Sequence, residues 1–230
     1  MCGRFSLTVP EKFFSRTFTL LDIPEMKPDY NVPPGVDIWA VRKNTESKQP
    51  EVARLHWGLI PAWASDPKIA NKLINARSET VSDKPAFREA YRSRRCLIPA
   101  DGFFEWKRDG KLRTPYFIRR IGQKPFAMAG LWERWLGPGG VQLDSCTILT
   151  TEPNRLMQPL HNRMPVILDE TNMTRWLETA QSESEMKELM APYPSDQMEA
   201  YPVSDLVNSP KNNDPACLSR IQVLEQEELF

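Results

Sequence analysis

Over much of this chain apolar and polar residues alternate in short runs, the period of two that makes a half-buried strand. Residues 36–41 (Val-Asp-Ile-Trp-Ala-Val) alternate this way, and residues 52–59 return from a hairpin tip at 47–50. Residues 2–7 predict a short strand with Phe5 and Leu7 on one face. Cys96-Leu97-Ile98-Pro99 opens a buried strand; residues 116–121, 126–135 and 141–150 read as three more between Gly and Pro turns, and residues 164–168 as another. Helical spacing is rarer. Pro10, in a tolerated first-turn position, opens a helix with the stripe Phe13, Phe14, Phe18 and Leu21. Ser82 or Asp83 caps a second helix running to about Arg95, with Phe87, Ala90 and Tyr91 on one face and Arg88, Arg92 and Arg95 on another. A short helix leads from Pro153-Asn154 to near His161, and two polar helices lie around 170–180 and 184–190. Tyr30-Asn31-Val32-Pro33-Pro34-Gly35 is a rigid turn, and the chain is irregular from Ala200.

Many strands joined by hairpin spacings, with few helices between them, predict an α+β fold: a mostly antiparallel, curved or barrel-like β core flanked by short helices. The 21 prolines favour short elements and ordered loops over long helices. No repeat or low-complexity linker divides the 230 residues, so one domain over 1–230 is expected, with about 206–230 as a peripheral or flexible tail. Neither a charged leader before an apolar run nor an apolar stretch of ~20 residues is present, which predicts a cytoplasmic protein, nucleoid-associated in a bacterium, without a membrane partner. The cysteines at 2, 96, 146 and 217 are too scattered for a zinc site and read as reduced thiols; no metal and no cofactor are expected.

Formal net charge is zero, so no long-range field draws in nucleic acid. The charge is uneven, however. Residues 75–124 carry thirteen Lys/Arg against six Asp/Glu, and residues 178–230 carry three against eleven. The middle is either a basic surface that tracks phosphates, with the acidic end kept away from it, or a set of solvated faces.

Candidate chemistry starts at Cys2. Removal of Met1 leaves an α-amine and a thiol on one residue, with ordinary pKa values near ~7.7–8.0 and ~8.5. The amine can form a Schiff base with an aldehyde, and the thiol can close on the same carbon as a five-membered thiazolidine. The plain alternative is an accident of the start codon. Glu105, between Phe104 and Trp106, either faces outward from a strand or enters an apolar pocket, where its pKa would rise. His161, in Leu160-His161-Asn162-Arg163-Met164-Pro165, is either a proton shuttle or an ordinary loop histidine, and His56 reads as structural. Asn75 and Arg77 are two apart in an extended stretch and face one side, an amide and a guanidinium suited to a sugar oxygen beside a phosphate. Trp57 and Trp63 flank a stiff turn; either can stack on a base or fill the core, and the core suits Trp57 better than Trp63.

These pieces together resemble the SRAP (SOS response-associated peptidase) family, whose members process abasic sites. The resemblance runs through Met1-Cys2-Gly3-Arg4-Phe5, the Tyr30–Gly35 turn, Trp57-Gly58-Leu59-Ile60-Pro61, Ile74-Asn75-Ala76-Arg77-Ser78-Glu79-Thr80, the Cys96–Trp106 stretch and His161-Asn162-Arg163-Met164-Pro165. It ends on Pro202-Val203-Ser204 before Val207-Asn208. It implies that Cys2 is the nucleophile, that Asn75, Glu105 and His161 complete the active site, and that Arg4, Arg77 and Arg163 meet phosphates while Trp63 stacks. It implies a monomer crosslinking to abasic sites in single-stranded DNA, with replication or repair machinery as candidate partners, and an associated peptidase activity. Where some members carry two adjacent tryptophans, this chain has Trp63-Ala64. The competing reading is a class II glutamine amidotransferase-like hydrolase, which also begins Met-Cys-Gly and uses the cysteine thiol on an amide; a non-catalytic single-strand binding module is the third.

Overall fold

The computed structural model describes residues 2–8, 13, 24–178 and 182–222. Its strands are β1 (Phe5–Leu7), β2 (Asp29–Val32), β3 (Asp37–Lys43), β4 (Pro50–Trp57), β5 (Asn75–Arg77), β6 (Arg95–Ala100) and β7 (Gly102–Asp109). After them come β8 (Leu112–Arg120), β9 (Phe126–Leu136), β10 (Gln142–Thr151), β11 (Met164–Pro165), β12 (Ile167–Leu168) and β13 (Met198–Pro202). Three short α-helices are described: α1 (Arg88–Ser93), α2 (Glu170–Leu177) and α3 (Glu183–Leu189). The fold is α+β, as the alternation predicts.

Five strands form one sheet in the order β13-β8-β7-β1-β2, and eight form the other. In the larger sheet β4, β3, β6, β9 and β10 make a closed circuit, because β10 pairs antiparallel with β9 and parallel with β4. The period of two decides which core each side chain enters. On β9, Phe126, Met128 and Trp132 face the core between the sheets, while Ala127, Ala129 and Leu131 face the helices. Cys96 and Ile98 on β6 face inward beside Phe5, Phe103 and Ile118 of the smaller sheet, and Leu97 faces out toward Trp176 and Met173 of α2. A third cluster covers the far side of the smaller sheet, where Phe104, Phe117 and Tyr201 pack on Val203, Val207 and Cys217. The result is helices on the large sheet, the small sheet on its other side, and the C-terminal segment outermost.

Several local expectations are corrected. The helix expected to run from residue 82 to about 95 is only α1; residues 79–87 are turns, with Lys84 N–H on the Thr80 carbonyl and Phe87 N–H on the Lys84 carbonyl. Pro85 explains this, since a residue preceding proline avoids the helical region. Residues 155–160 form successive turns rather than a helix. Asp29–Val32 is a strand, and so is Met198–Pro202, which pairs with β8 from Arg120↔Met198 to Tyr116↔Pro202. The helix expected from Pro10 lies outside the described residues except for Phe13, which is buried. The segment expected as a peripheral or flexible tail is described up to residue 222; it lies outermost, with Val207 and Cys217 fully buried and Asn31 on the carbonyls of Ser209 and Asn212. The acidic end is not kept away from the basic stretch either, because Glu199 pairs with Arg119 at 2.9 Å.

Candidate active site

Cys2 is placed by strand pairing. β1 runs antiparallel to β7 with Phe5 opposite Phe103, and the Phe104 N–H donates to the Arg4 carbonyl at 2.9 Å. The same progression carries residues 2 and 3 toward Glu105 and Trp106. Cys2 is fully buried, and its Sγ lies 4.0 Å from the Arg4 carbonyl oxygen. Burial, then the nearby Glu105 carboxylate, pushes the thiol up to about 12. At neutral pH it is therefore a thiol, not a thiolate.

Glu105 shares the inward face of β7 with Phe103 and is 4 % exposed. Burial raises its pKa above the usual carboxylate range, against the pull of the chain's amino-terminal charge and the Trp106 N–H. Of the two orientations open in the sequence, the inward one is observed.

Asn75 arrives on β5, which lies parallel to the end of β10 with Asn75 opposite Ile148. Its approach is anchored from behind. Trp57 is fully buried, its indole N–H donates to the Ile74 carbonyl at 2.9 Å, and its ring sits 5.3 Å from that of Phe5. Just before this, Gly58 takes φ +142°, and a Cβ there would lie 2.7 Å from the Ala70 carbonyl oxygen, so only glycine lets the chain turn toward Trp63. Alternation on β5 buries Ala76 and leaves Asn75 and Arg77 on the other side. The Asn75 Nδ2 donates to the Cys2 carbonyl at 2.8 Å. Its Oδ1 is buried with no hydrogen-bond partner among the described residues.

His161 comes from the loop between β10 and β11. Asn154 shapes that loop by accepting the Met157 N–H at 3.0 Å and donating to the Tyr193 carbonyl at 2.6 Å. The His161 N–H donates to the Met157 carbonyl at 2.9 Å. Its Nδ1 accepts the Arg163 N–H at 3.0 Å and lies 3.3 Å from the Arg163 carbonyl. Burial, then the positive charge of the amino terminus, Arg108 and Arg163, lowers its pKa, although the Arg163 carbonyl opposes this. His161 is neutral at pH 7.

The three arginines are held differently. Arg77 is exposed, and no carboxylate pairs with it among the described residues. Arg4 places Nη1 on Asn31 Oδ1 at 2.7 Å and on the Val207 carbonyl at 2.8 Å, with its guanidinium 5.9 Å from the Trp106 ring centre. Arg163 sets Nη1 and Nη2 on the two oxygens of Glu79 at 2.7 and 2.9 Å, and Nη2 also on the Thr150 carbonyl. Trp63 is 63 % exposed. His56 lies 3.4 Å from Asp37 on neighbouring strands, a structural position. Among the described residues no group of three His, Cys, Asp or Glu side chains could hold a metal, and no helix is long and apolar enough to cross a membrane.

Asn75 on β5 thus bonds Cys2, which precedes β1, Glu105 on β7 lies near enough to act on its thiol, and His161 stands on a loop where the amino-terminal charge reaches it. Sequence reading assigned no role to Asn31, Asn154, Thr150 and Glu79, which hold these parts in place; Asn31 and Glu79 carried a signal, each lying within one of the motifs of the resemblance.

The family model described as SOS response associated peptidase (SRAP) matches residues 1–210. The chain belongs to the SRAP family. Among its relatives, the abasic site processing protein YoqW of Bacillus subtilis (strain 168) is 47% identical over 222 residues, covering 94% of this chain and 97% of the relative. The abasic site processing protein HMCES of Xenopus tropicalis is 32% identical, covering 87% of this chain and 66% of that protein. An X-ray crystal structure of a protein from Bacteroides thetaiotaomicron matches with a TM-score of 0.84 at 30% identity, over 96% of this chain and 100% of that one. The fold of this chain is therefore shared by a solved structure.

Proposed function

We propose that this protein processes abasic sites by capturing them, in single-stranded DNA, as a covalent adduct on Cys2. The observation that carries the reading is the clamp on Cys2: Asn75 holds its carbonyl at 2.8 Å while the buried Glu105 stands close enough to raise its thiol. The names of the relatives support the same substrate.

The order of steps follows from the protonation states. A thiol pushed up to about 12 is a poor first nucleophile, whereas an α-amine near ~7.7–8.0 is partly free at neutral pH. The nitrogen becomes an amine only after Met1 is removed. It attacks the aldehyde carbon of the ring-opened sugar. Glu105, whose burial makes it hold its proton to higher pH than an exposed carboxyl, is the group placed to give a proton to the carbinolamine hydroxyl, which leaves as water and yields the iminium. Cys2 Sγ then adds to the same carbon, and its proton passes to Glu105 while the iminium electrons return to nitrogen. Aldehyde and aminothiol become thiazolidine and water, with no oxidant needed. His161, neutral and bonded through Nδ1, has Nε2–H as a donor for opening the sugar ring. The free Asn75 Oδ1 can accept from the new amine or a sugar hydroxyl. Arg77 is the cation available to a phosphate, and Trp63 is the exposed ring available to a base.

The Met1-processed protein, mixed with a single strand bearing one abasic site, is expected to give a heat-stable shifted band on a denaturing gel that Cys2→Ala loses. No band from the processed wild type, with glutamine hydrolysis instead, would replace this reading by the hydrolase.

A further inference from the structure

The Glu79–Arg163 pair joins two arms of the site. Glu79 follows β5, the strand that brings Asn75 and Arg77. Arg163 follows His161. Between them runs the end of β10, where the Ser78 N–H donates to the Thr150 carbonyl at 2.9 Å and Met164 pairs with Thr151. Arg163 is largely buried, with its side chain 13% exposed, while that of Glu79 is 49% exposed. Both Nη groups of Arg163 are engaged, and Nε is buried with no hydrogen-bond partner among the described residues. Such a planar fork leaves its residue little rotational freedom.

The restraint passes to His161 through the backbone. The N–H of Arg163 donates to His161 Nδ1 at 3.0 Å, and the carbonyl of Arg163 lies 3.3 Å from the same nitrogen. A neutral ring that accepts this N–H must carry its proton on Nε2. A protonated ring can give Nδ1–H to the carbonyl instead. In both states Nε2 is a donor, which is the role assigned to it in opening the sugar.

We infer that Glu79 is a positioning residue: by locking the Arg163 fork against Thr150, it holds the Arg163 N–H on His161 Nδ1 and keeps the imidazole in its Nε2–H form. The inference rests on the donor role of His161 in the proposed function.

The chain has only two histidines, so ring ¹⁵N spectra of the DNA-free protein resolve His161, with His56→Gln as the assignment control. In the wild type at neutral pH, Nδ1 of His161 is expected at a pyridine-type shift and Nε2 at a pyrrole-type shift. Glu79→Ala is expected to average the two, and Glu79→Asp to restore much of the wild-type pattern. In single-turnover capture at saturating abasic strand, Glu79→Ala is expected to be slower by roughly tenfold, part of the ~10²–10⁴ that a positioned proton donor supplies, with DNA affinity changed by less than about threefold. Glu79→Asp is expected to recover part of the rate. An unchanged ring pattern in Glu79→Ala would overturn the inference, whatever the rate. So would tighter DNA binding at an unchanged rate, which would make Glu79 a stand-in for a phosphate on Arg163. The spectra need no DNA, so absence of any adduct in the wild type would defeat the proposed function while leaving the positioning result readable.

Discussion

Asn75→Ala separates positioning from stability. In the folded protein the Asn75 amide contributes one hydrogen bond, 2.8 Å to the Cys2 carbonyl, and leaves Oδ1 buried without a partner among the described residues. The bond contributes about 0.5–1.5 kcal/mol net, while an orphaned buried polar atom costs ~1–3 kcal/mol. Alanine removes the orphaned Oδ1 but takes the donor from the Cys2 carbonyl, so the two effects nearly cancel, and stability in urea is expected to move by less than ~1.5 kcal/mol in either direction. Capture is different. Cys2 loses the group that fixes its carbonyl and therefore its amine, and a displacement of ~1 Å at a reacting group costs on the order of 10²-fold in rate. Single-turnover adduct formation is expected to fall by at least ~10-fold, that is ~1.4 kcal/mol or more of barrier. Asn75→Asp keeps the acceptor and loses the donor, so it is expected to be as slow as Ala and less stable, with a carboxylate facing the Cys2 carbonyl. A rate within twofold of wild type, or a loss of rate matched by unfolding, would refute the reasoning.

Three further outcomes are expected. Glu105→Gln should abolish most capture yet stabilise the fold. Its folded pKa is raised by burial, so stability present below the unfolded value of ~4.3 is lost as pH rises through the folded one, and the advantage of Gln in urea denaturation should grow over that window. Arg77→Ala should lower the slope of log affinity against log salt for single strands by about 0.7, one phosphate contact, and an unchanged slope would remove Arg77 from the strand's path. Asn31→Ala should destabilise by roughly 1–2 kcal/mol in urea, because it takes the amide from the part-buried carbonyls of Ser209 and Asn212 and releases Arg4.

The strands legible in the sequence are those whose side chains separate two cores. Residues 126–135 alternate because one face meets Phe103 and the other meets Trp176, and that requirement is written into every second position. β13, Met-Glu-Ala-Tyr-Pro, carries a weaker pattern; its place is set by its pairing with β8, some eighty positions away for Arg119 and Glu199. β2 hides in a proline-rich turn for the same reason. Cys2, Glu105 and His161 could be picked out by residue type and by family resemblance. The Glu79–Arg163 fork spans 84 positions, and neither residue announces the other. Arg163 in isolation reads as a phosphate ligand, whereas in the fold its guanidinium is already held by Glu79 and Thr150.

The central claim is a thiazolidine on Cys2, and intact mass of the purified adduct before and after borohydride tests it most directly. A closed thiazolidine has no C=N bond to reduce, so the wild-type adduct should keep its mass, while the Cys2→Ala adduct, trapped as the imine, should gain two hydrogens. A wild-type adduct that also gains two hydrogens would mean that the thiol never closes, and the account of Cys2 would be wrong.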